Sequence, residues 1–161
     1  MLIQIKSRFN SSVLFDHTCE NNTLKITLEA AVKIGARLVG ANLDRANLDR
    51  AILVGASLVG ARLDRASLIG SRLDGSNLVG ASLVGATYGI AKLTRGIIQL
   101  IGYYWTVFIF DAHIKIGCKL YSTEDWINFS DNEIAAMDSE AAEFWKANKD
   151  IIIAIAKHHQ K

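Results

Sequence analysis

Leucine recurs at every fifth residue from position 38 to position 83, and alanine or serine stands two residues before each one. The units read ARLVG ANLDR ANLDR AILVG ASLVG ARLDR ASLIG SRLDG SNLVG ASLVG from Ala36 to Gly85, and the looser ATYGI and AKLTR follow. An α-helix needs apolar positions near 3.6 residues apart and a strand needs them two apart, so neither explains the period. Alanine and leucine favour a helix by propensity, but glycine closes seven of the first ten units. A chain that turns through a right angle every five residues does fit. Each leucine then points inward from one side of a square, and the small residue before it fits the space beside it. Four units close one coil, and coils stack at about 4.8 Å, each burying the next. Twelve units give three coils.

The flanks follow different patterns. Ile3, Ile5 and Phe9 interleave with Gln4, Lys6 and Arg8, and Val13 and Phe15 resume the alternation after Asn10-Ser11-Ser12, which predicts a β-hairpin. Thr23 to Lys33 predicts a short helix, with Leu24, Leu28, Ala31 and Val32 on one face and Gly35 at its end. Such a helix closes the open end of the coil, as solenoids require. Beyond the repeat, strands are expected over Ile97–Ile101, Tyr104–Phe110 and His113–Cys118. Ser122 with Asp125, and Ser130 with Glu133, have the spacing that opens short helices, and a last helix is expected from Ser139 to about His158. Three regions result: 1–35, a hairpin and capping helix; 36–95, the repeat; 96–161, strands and helices.

The twelve units resemble the pentapeptide-repeat family, whose consensus is approximately A(D/N)LXX. That resemblance implies a mainly β protein built on a right-handed quadrilateral β-helix, here with an N-terminal hairpin-helix cap and a small α/β C-terminal region. It also implies a molecule that presents surfaces rather than performing chemistry. Tyr88 replaces the central leucine of the unit 86–90, so a distorted last coil is expected. The stretch YYWTVFIFDAHIKIGCKLYSTEDWINFSD and the residues after it resemble the tails of pentapeptide-repeat proteins encoded by phages and prophages. This implies a host-directed or counter-defence role, with a host protein as partner. Members that mimic DNA and bind topoisomerase need a strongly acidic surface. Residues 36–95 hold eight basic and four acidic side chains and no glutamate, which opposes that activity.

The period also sorts the outward residues, because units four apart share a side. Val39, Val59 and Val79 stack on the first side, and Ile52 and Val54 lie on the fourth. These five are the candidate interface residues, for a second copy of the chain or for another protein. Asp44-Arg45, Asp49-Arg50 and Asp64-Arg65 keep the second and third sides soluble and in register. Arg37, Arg62, Arg72 and Lys92 precede central positions and are the candidate anion-binding residues, for a nucleotide or other small anion. A net charge of +4 on the repeat is too small for a nucleic-acid footprint.

Chemistry-bearing motifs are absent. No CxxC pair, phosphate-binding glycine loop or metal-ligand spacing occurs. On one strand His113 and Cys118 would face opposite sides, so no nucleophile and base meet there. His17-Thr18-Cys19 lacks the further ligands that zinc needs. No catalytic residue, metal site or cofactor is expected, and Trp105, Trp126 and Trp145 read as core or interface anchors. The start MLIQIKSRFN lacks a secretory pattern. The longest uncharged run, Gly96–Phe110, is shorter than a spanning helix. A cytoplasmic, non-enzymatic protein is expected, a homo-oligomer with reduced cysteines or else a structural assembly component.

Overall fold

In the computed structural model, which describes residues 1–161, the corner of every repeat unit is built the same way. The ten closing residues from position 40 to position 85 all have φ between 57° and 77°. Seven are glycine, and Arg45, Arg50 and Arg65 hold the same left-handed conformation. At each corner the N–H two residues before the next leucine donates to the previous leucine's carbonyl over 2.9–3.1 Å, as Ala41 does to Leu38. A positive φ at the third residue is what a type II turn requires. Glycine reaches it without the side-chain clash that the three arginines carry.

The sides between corners pair in parallel with residues twenty positions on. Bridges join Arg37 to Ser57 and then Asn77, Asn42 to Arg62 and then Ser82, Asn47 to Ser67 and then Thr87, and Ile52 to Arg72. Four bridge positions per twenty residues make the repeat a four-sided, β-helix-like coil. Arg62 N–H donates to Ala41 O and Leu43 N–H to Arg62 O, at 2.8 and 2.7 Å, and the other sides repeat this pairing. A five-residue side leaves room for only one bridging residue, so the regular coil contains no extended strand. Every central leucine from Leu38 to Leu83 is at most 2 % exposed.

The coil opens against a hairpin of β1 (Leu2–Lys6) and β2 (Val13–Thr18) and a helix, α1 (Leu24–Lys33). Asn42 N–H donates to Lys6 O and Arg8 N–H to Gly40 O, both at 2.8 Å, so the chain after β1 takes the place of an earlier coil on one side. On the fourth side Glu29 of α1 accepts the Ile52 N–H at 2.8 Å. Ile5, Leu28 and Ala31 extend the leucine core to this end.

Three full coils do not form. The last parallel bridge is Ser67 to Thr87, after which β3 (Thr87–Tyr88) turns back on β4 (Ala91–Lys92) as an antiparallel hairpin. Gly85 N–H donates to Leu93 O at 2.6 Å, and no bridge joins Arg72 to Lys92. Tyr88 is the physical reason. Its phenol is too large for a leucine site and lies across the coil's end, 5.5 Å from the Phe110 ring, with its hydroxyl donating to Ser71 O at 3.3 Å. Burial there pushes the phenol's pKa up, beyond the ordinary tyrosine range.

The remaining chain forms a four-stranded antiparallel sheet in the order β5 (Ile98–Leu100), β6 (Val107–Ile109), β7 (His113–Ile116) and β8 (Lys119–Ser122). Three helices follow: α2 (Thr123–Asn128), α3 (Asp131–Ala135) and α4 (Ala141–His159). Together the four helices hold more residues than the eight strands, so "mainly β" describes the coil and not the whole chain. Phe108 and Phe110 enter the leucine core, while Val107 and Ile109 pack with Trp126, Trp145 and Ile152 in a second core. Both faces of β6 are therefore buried, which is why VFIF is continuously apolar.

The interior also shows which small residues fit. Ser76 Oγ donates to Leu73 O at 2.7 Å, whereas the buried Ser71 Oγ has no partner. Ser71→Ala removes an unsatisfied hydroxyl from a position that the repeat usually gives to alanine. It should stabilise the fold by about 1 kcal/mol, read as a raised urea midpoint with unchanged slope. Ser76→Ala should give no gain.

Candidate interaction surface

The outward residues divide the coil into unlike sides. On the first side these are Arg37, Val39, Ser57, Val59, Asn77 and Val79, with glycine at each corner, so Arg37 is the single charge. Gly40 N–H donates to Val59 O and Gly60 N–H to Val79 O, both at 2.8 Å, which fixes the three valines one above another. Val39 and Val79 are about two-fifths exposed, and Val59 between them is half-buried. Phe9, which the sequence pattern assigned only to the hairpin, lies over the corner that ends this side. A β-carbon on Gly40 would stand 2.5 Å from Phe9 Cε2, so the missing side chain is what lets the ring settle there. Phe9 is itself exposed, and it extends the apolar strip past Val39.

On the fourth side Ile52 and Val54 are exposed in the first coil, but Arg72 and Asp74 stand above them in the second. The apolar character there is confined to one coil. The second side carries most of the charge, and the third carries Asp49-Arg50 in its first coil. Asp49 and Asp64 do not pair with the adjacent arginines. Asp49 accepts from Ser67 Oγ and, at 3.0 Å, from Ile69 N–H, both in the coil above. Asp64 accepts likewise from Ser82 Oγ and, at 3.1 Å, from Val84 N–H. Asp44 lies between two arginines, 3.8 Å from its neighbour Arg45 and 3.9 Å from Arg62 one coil on. The Asp-Arg units thus tie coil to coil through the carboxylate and turn the corner at the arginine.

Burial alone would raise the Asp64 pKa, but hydrogen bonds from Ser82, Arg62 and the Val84 N–H together outweigh it and hold the carboxyl below its ordinary value. A native pKa below the unfolded one contributes stability that is full above the ordinary carboxylate range and is lost as pH falls through the lowered value. Asp64→Asn should therefore lower the melting temperature at pH 7. The deficit should shrink as pH drops below about 3.9, where the unfolded aspartate is protonated. Melting curves of both proteins across that range test the sign.

The four candidate anion ligands are not brought together. Arg37 lies on the first side, Arg62 on the second, Arg72 on the fourth, and Lys92 in β4 beyond the regular coil. Arg62 is held by Asp64 at 3.0 Å, and Arg72 lies 3.7 Å from Asp74. No group of three or more His, Cys, Asp or Glu side chains is placed to hold a metal ion. His113 stands on β7, while Cys118 lies in the two-residue turn between β7 and β8. Both cysteines are free thiols. No helix is long and apolar enough to cross a membrane.

The coil's far end is closed by side chains that no local pattern marks. Gln99 in β5 acts as a substitute peptide group. Its Oε1 accepts from Leu78 N–H at 2.7 Å and its Nε2 donates to Ser76 O at 2.6 Å. Thr106 Oγ1 accepts the Gly75 N–H at 3.2 Å. Lys115, buried in β7, donates to Asp74 at 3.2 Å and to Gly117 O. Asp74 is the last aspartate of the repeat, and Lys115 takes the position that a further coil would otherwise fill.

A coil of stacked five-residue sides, capped at both ends by the flanks and carrying one nearly uncharged side, defines a β-helix-like repeat. Its repeats have a name: residues 34–65 and 61–87 match Pentapeptide repeats, in eight copies, so the middle third of the chain consists of pentapeptide repeats. Neither the curated proteins nor the solved structures contain a match to the chain.

Proposed function

We propose that this chain is a non-enzymatic interaction protein. Its right-handed, quadrilateral β-helix presents the first side to a second copy of itself. The observation that carries the reading is the strip of Phe9, Val39, Val59 and Val79, exposed or half-buried on a side with one charge, beside sides rich in charge. Contiguous apolar surface rimmed by polar residues is what protein contact sites present. A nearly neutral strip is compatible with its own copy across a two-fold axis, because the cations at it are few: Arg37, and Arg8, whose guanidinium lies 4.8 Å over the Phe9 ring. The flanks that cover both coil ends support side-to-side contact over end-to-end stacking, since they give partners to Asn42 and Ile52 N–H at one end and to Gly75 and Leu78 N–H at the other.

Val59→Arg places a cation at the centre of the strip and should abolish association. Arg65→Glu, on the second side, should leave it unchanged. Light scattering of the two variants beside the native chain reads both. Equal masses for native and Val59→Arg proteins would remove the first side as the contact.

A further inference from the structure

The first side of the coil is two columns wide. Arg37, Ser57 and Asn77 form one, joined by parallel bridges. Val39, Val59 and Val79 form the other, held in line by the bonds from Gly40 N–H to Val59 O and from Gly60 N–H to Val79 O. Rows of such a ladder lie about 4.8 Å apart, so the ends of a column are about 10 Å apart.

Charge is confined to one end. Arg37 stands in the first row, and the chain's ion pairs leave it out. Arg8 is at the same end, where its N–H donates to Gly40 O at 2.8 Å and its guanidinium lies over Phe9. The third row has the exposed amide of Asn77, and beyond it Gln99 of β5 holds Ser76 O and Leu78 N–H. Asn77 Oδ1 accepts the Val79 N–H at 3.1 Å and keeps a second lone pair.

This asymmetry decides how a second copy lies on the side, given the self-association through that side proposed above. The two-fold axis between facing copies lies in the plane of contact, and it has two choices of direction. An axis along the coil keeps each row against the same row of the partner. It gathers Arg8 and Arg37 of both copies at one end, where like charges repel. It also exchanges the columns, so the valines meet polar residues unless the contact narrows to the valines alone. An axis across the coil, at the second row, reverses the rows and keeps the columns. Val59 then lies beside the partner's Val59, Val39 faces the partner's Val79, and the cations of the two copies stand at opposite ends.

We infer that the two copies pack with their coils antiparallel, each Arg37 guanidinium donating to the partner's Asn77. Asn77→Asp tests this, because the carboxylate keeps an acceptor for the Val79 N–H and adds a charge. It makes two ion pairs per dimer, so the dissociation constant, read by light scattering on dilution, should fall about tenfold. The gain should vanish at a salt concentration of about 1 M, and also in Asn77→Asp combined with Arg37→Gln. A constant raised by Asn77→Asp would mean that the two carboxylates meet each other, and would overturn the antiparallel packing. An unchanged constant, or a gain that survives Arg37→Gln, would overturn it too. In these cases the first side still stands as the contact if Val59→Arg separates the copies. Association that is indifferent to Val59→Arg would remove the side and the packing together.

Discussion

Leu58→Ala should destabilise the chain by about 2–5 kcal/mol, the range for deleting a fully buried leucine side chain in a core that cannot collapse around the loss. Leu58 is completely buried in the second coil, with Leu38 below it and Leu78 above it on the same side. The coil is poorly able to relax. Its backbone is fixed by bridges to the coils on both sides, so the sides cannot move inward to fill the gap. A domain of this size has about 5–15 kcal/mol in total, so the variant should lose a large part of its margin. Urea unfolding followed by circular dichroism measures it. The transition should remain single, because Phe108 and Phe110 belong to the leucine core and join the two halves of the molecule. An effect under about 1 kcal/mol would mean that the leucines do not form the interior.

The second large effect is at Lys115. Its ammonium group is almost fully buried, donates to Asp74, and lies 5.9 Å from the Phe108 ring centre. Breaking a buried pair by removing one partner costs about 3–5 kcal/mol. Asp74 is one-third exposed and keeps water at its free side, so Lys115→Ala should cost nearer the lower bound. Lys115→Met separates the two contributions. It keeps the apolar stem that packs at the coil's end and loses only the charge, so it should be less destabilising than alanine. Thermal melting of the two variants reads the difference. Equal losses would show that the ion pair, and not the stem, joins the tail to the coil.

Much of the coil can be read from the sequence because its information is local and repeated. One leucine in five, with a small residue two positions before it, is stated ten times over, and glycine stands at seven of the ten corners. The helix openings at Ser122 and Ser130 are local too. Each serine accepts the N–H of a residue three positions on, and the acidic side chain there returns the bond. Ser139 offers a similar signal but is not used. The last helix begins at Ala141 without a side-chain cap, after Asp138 has accepted the Glu140 N–H at 3.0 Å.

What escapes a sequence reading is set by contacts between distant residues. Gln99 meets Leu78 and Ser76 across more than twenty positions, and Lys115 meets Asp74 across 41. Neither belongs to a pattern, so both look like ordinary strand residues. The hairpin that replaces the end of the third coil follows from Tyr88, a visible departure whose outcome depends on Phe110. Strand β8 was hidden because His113–Cys118 reads as one strand. Gly117, at φ 54°, and Cys118 instead form the two-residue turn that starts it. In the candidate surface the valine ladder is periodic and legible. Phe9 joins it only because Gly40 leaves the ring a place to lie, and the aspartate ties between coils require knowing that residue 49 lies beneath 67 and 69.

The most direct test of self-association through the first side is the absolute mass of the native chain by light scattering across a dilution series. One chain has a mass of 17.6 kDa. A mass of twice that value at high concentration, falling toward the single-chain value on dilution or in Val59→Arg, is the predicted result. A mass of 17.6 kDa at every concentration would contradict it and leave the valine strip without the second copy proposed to cover it.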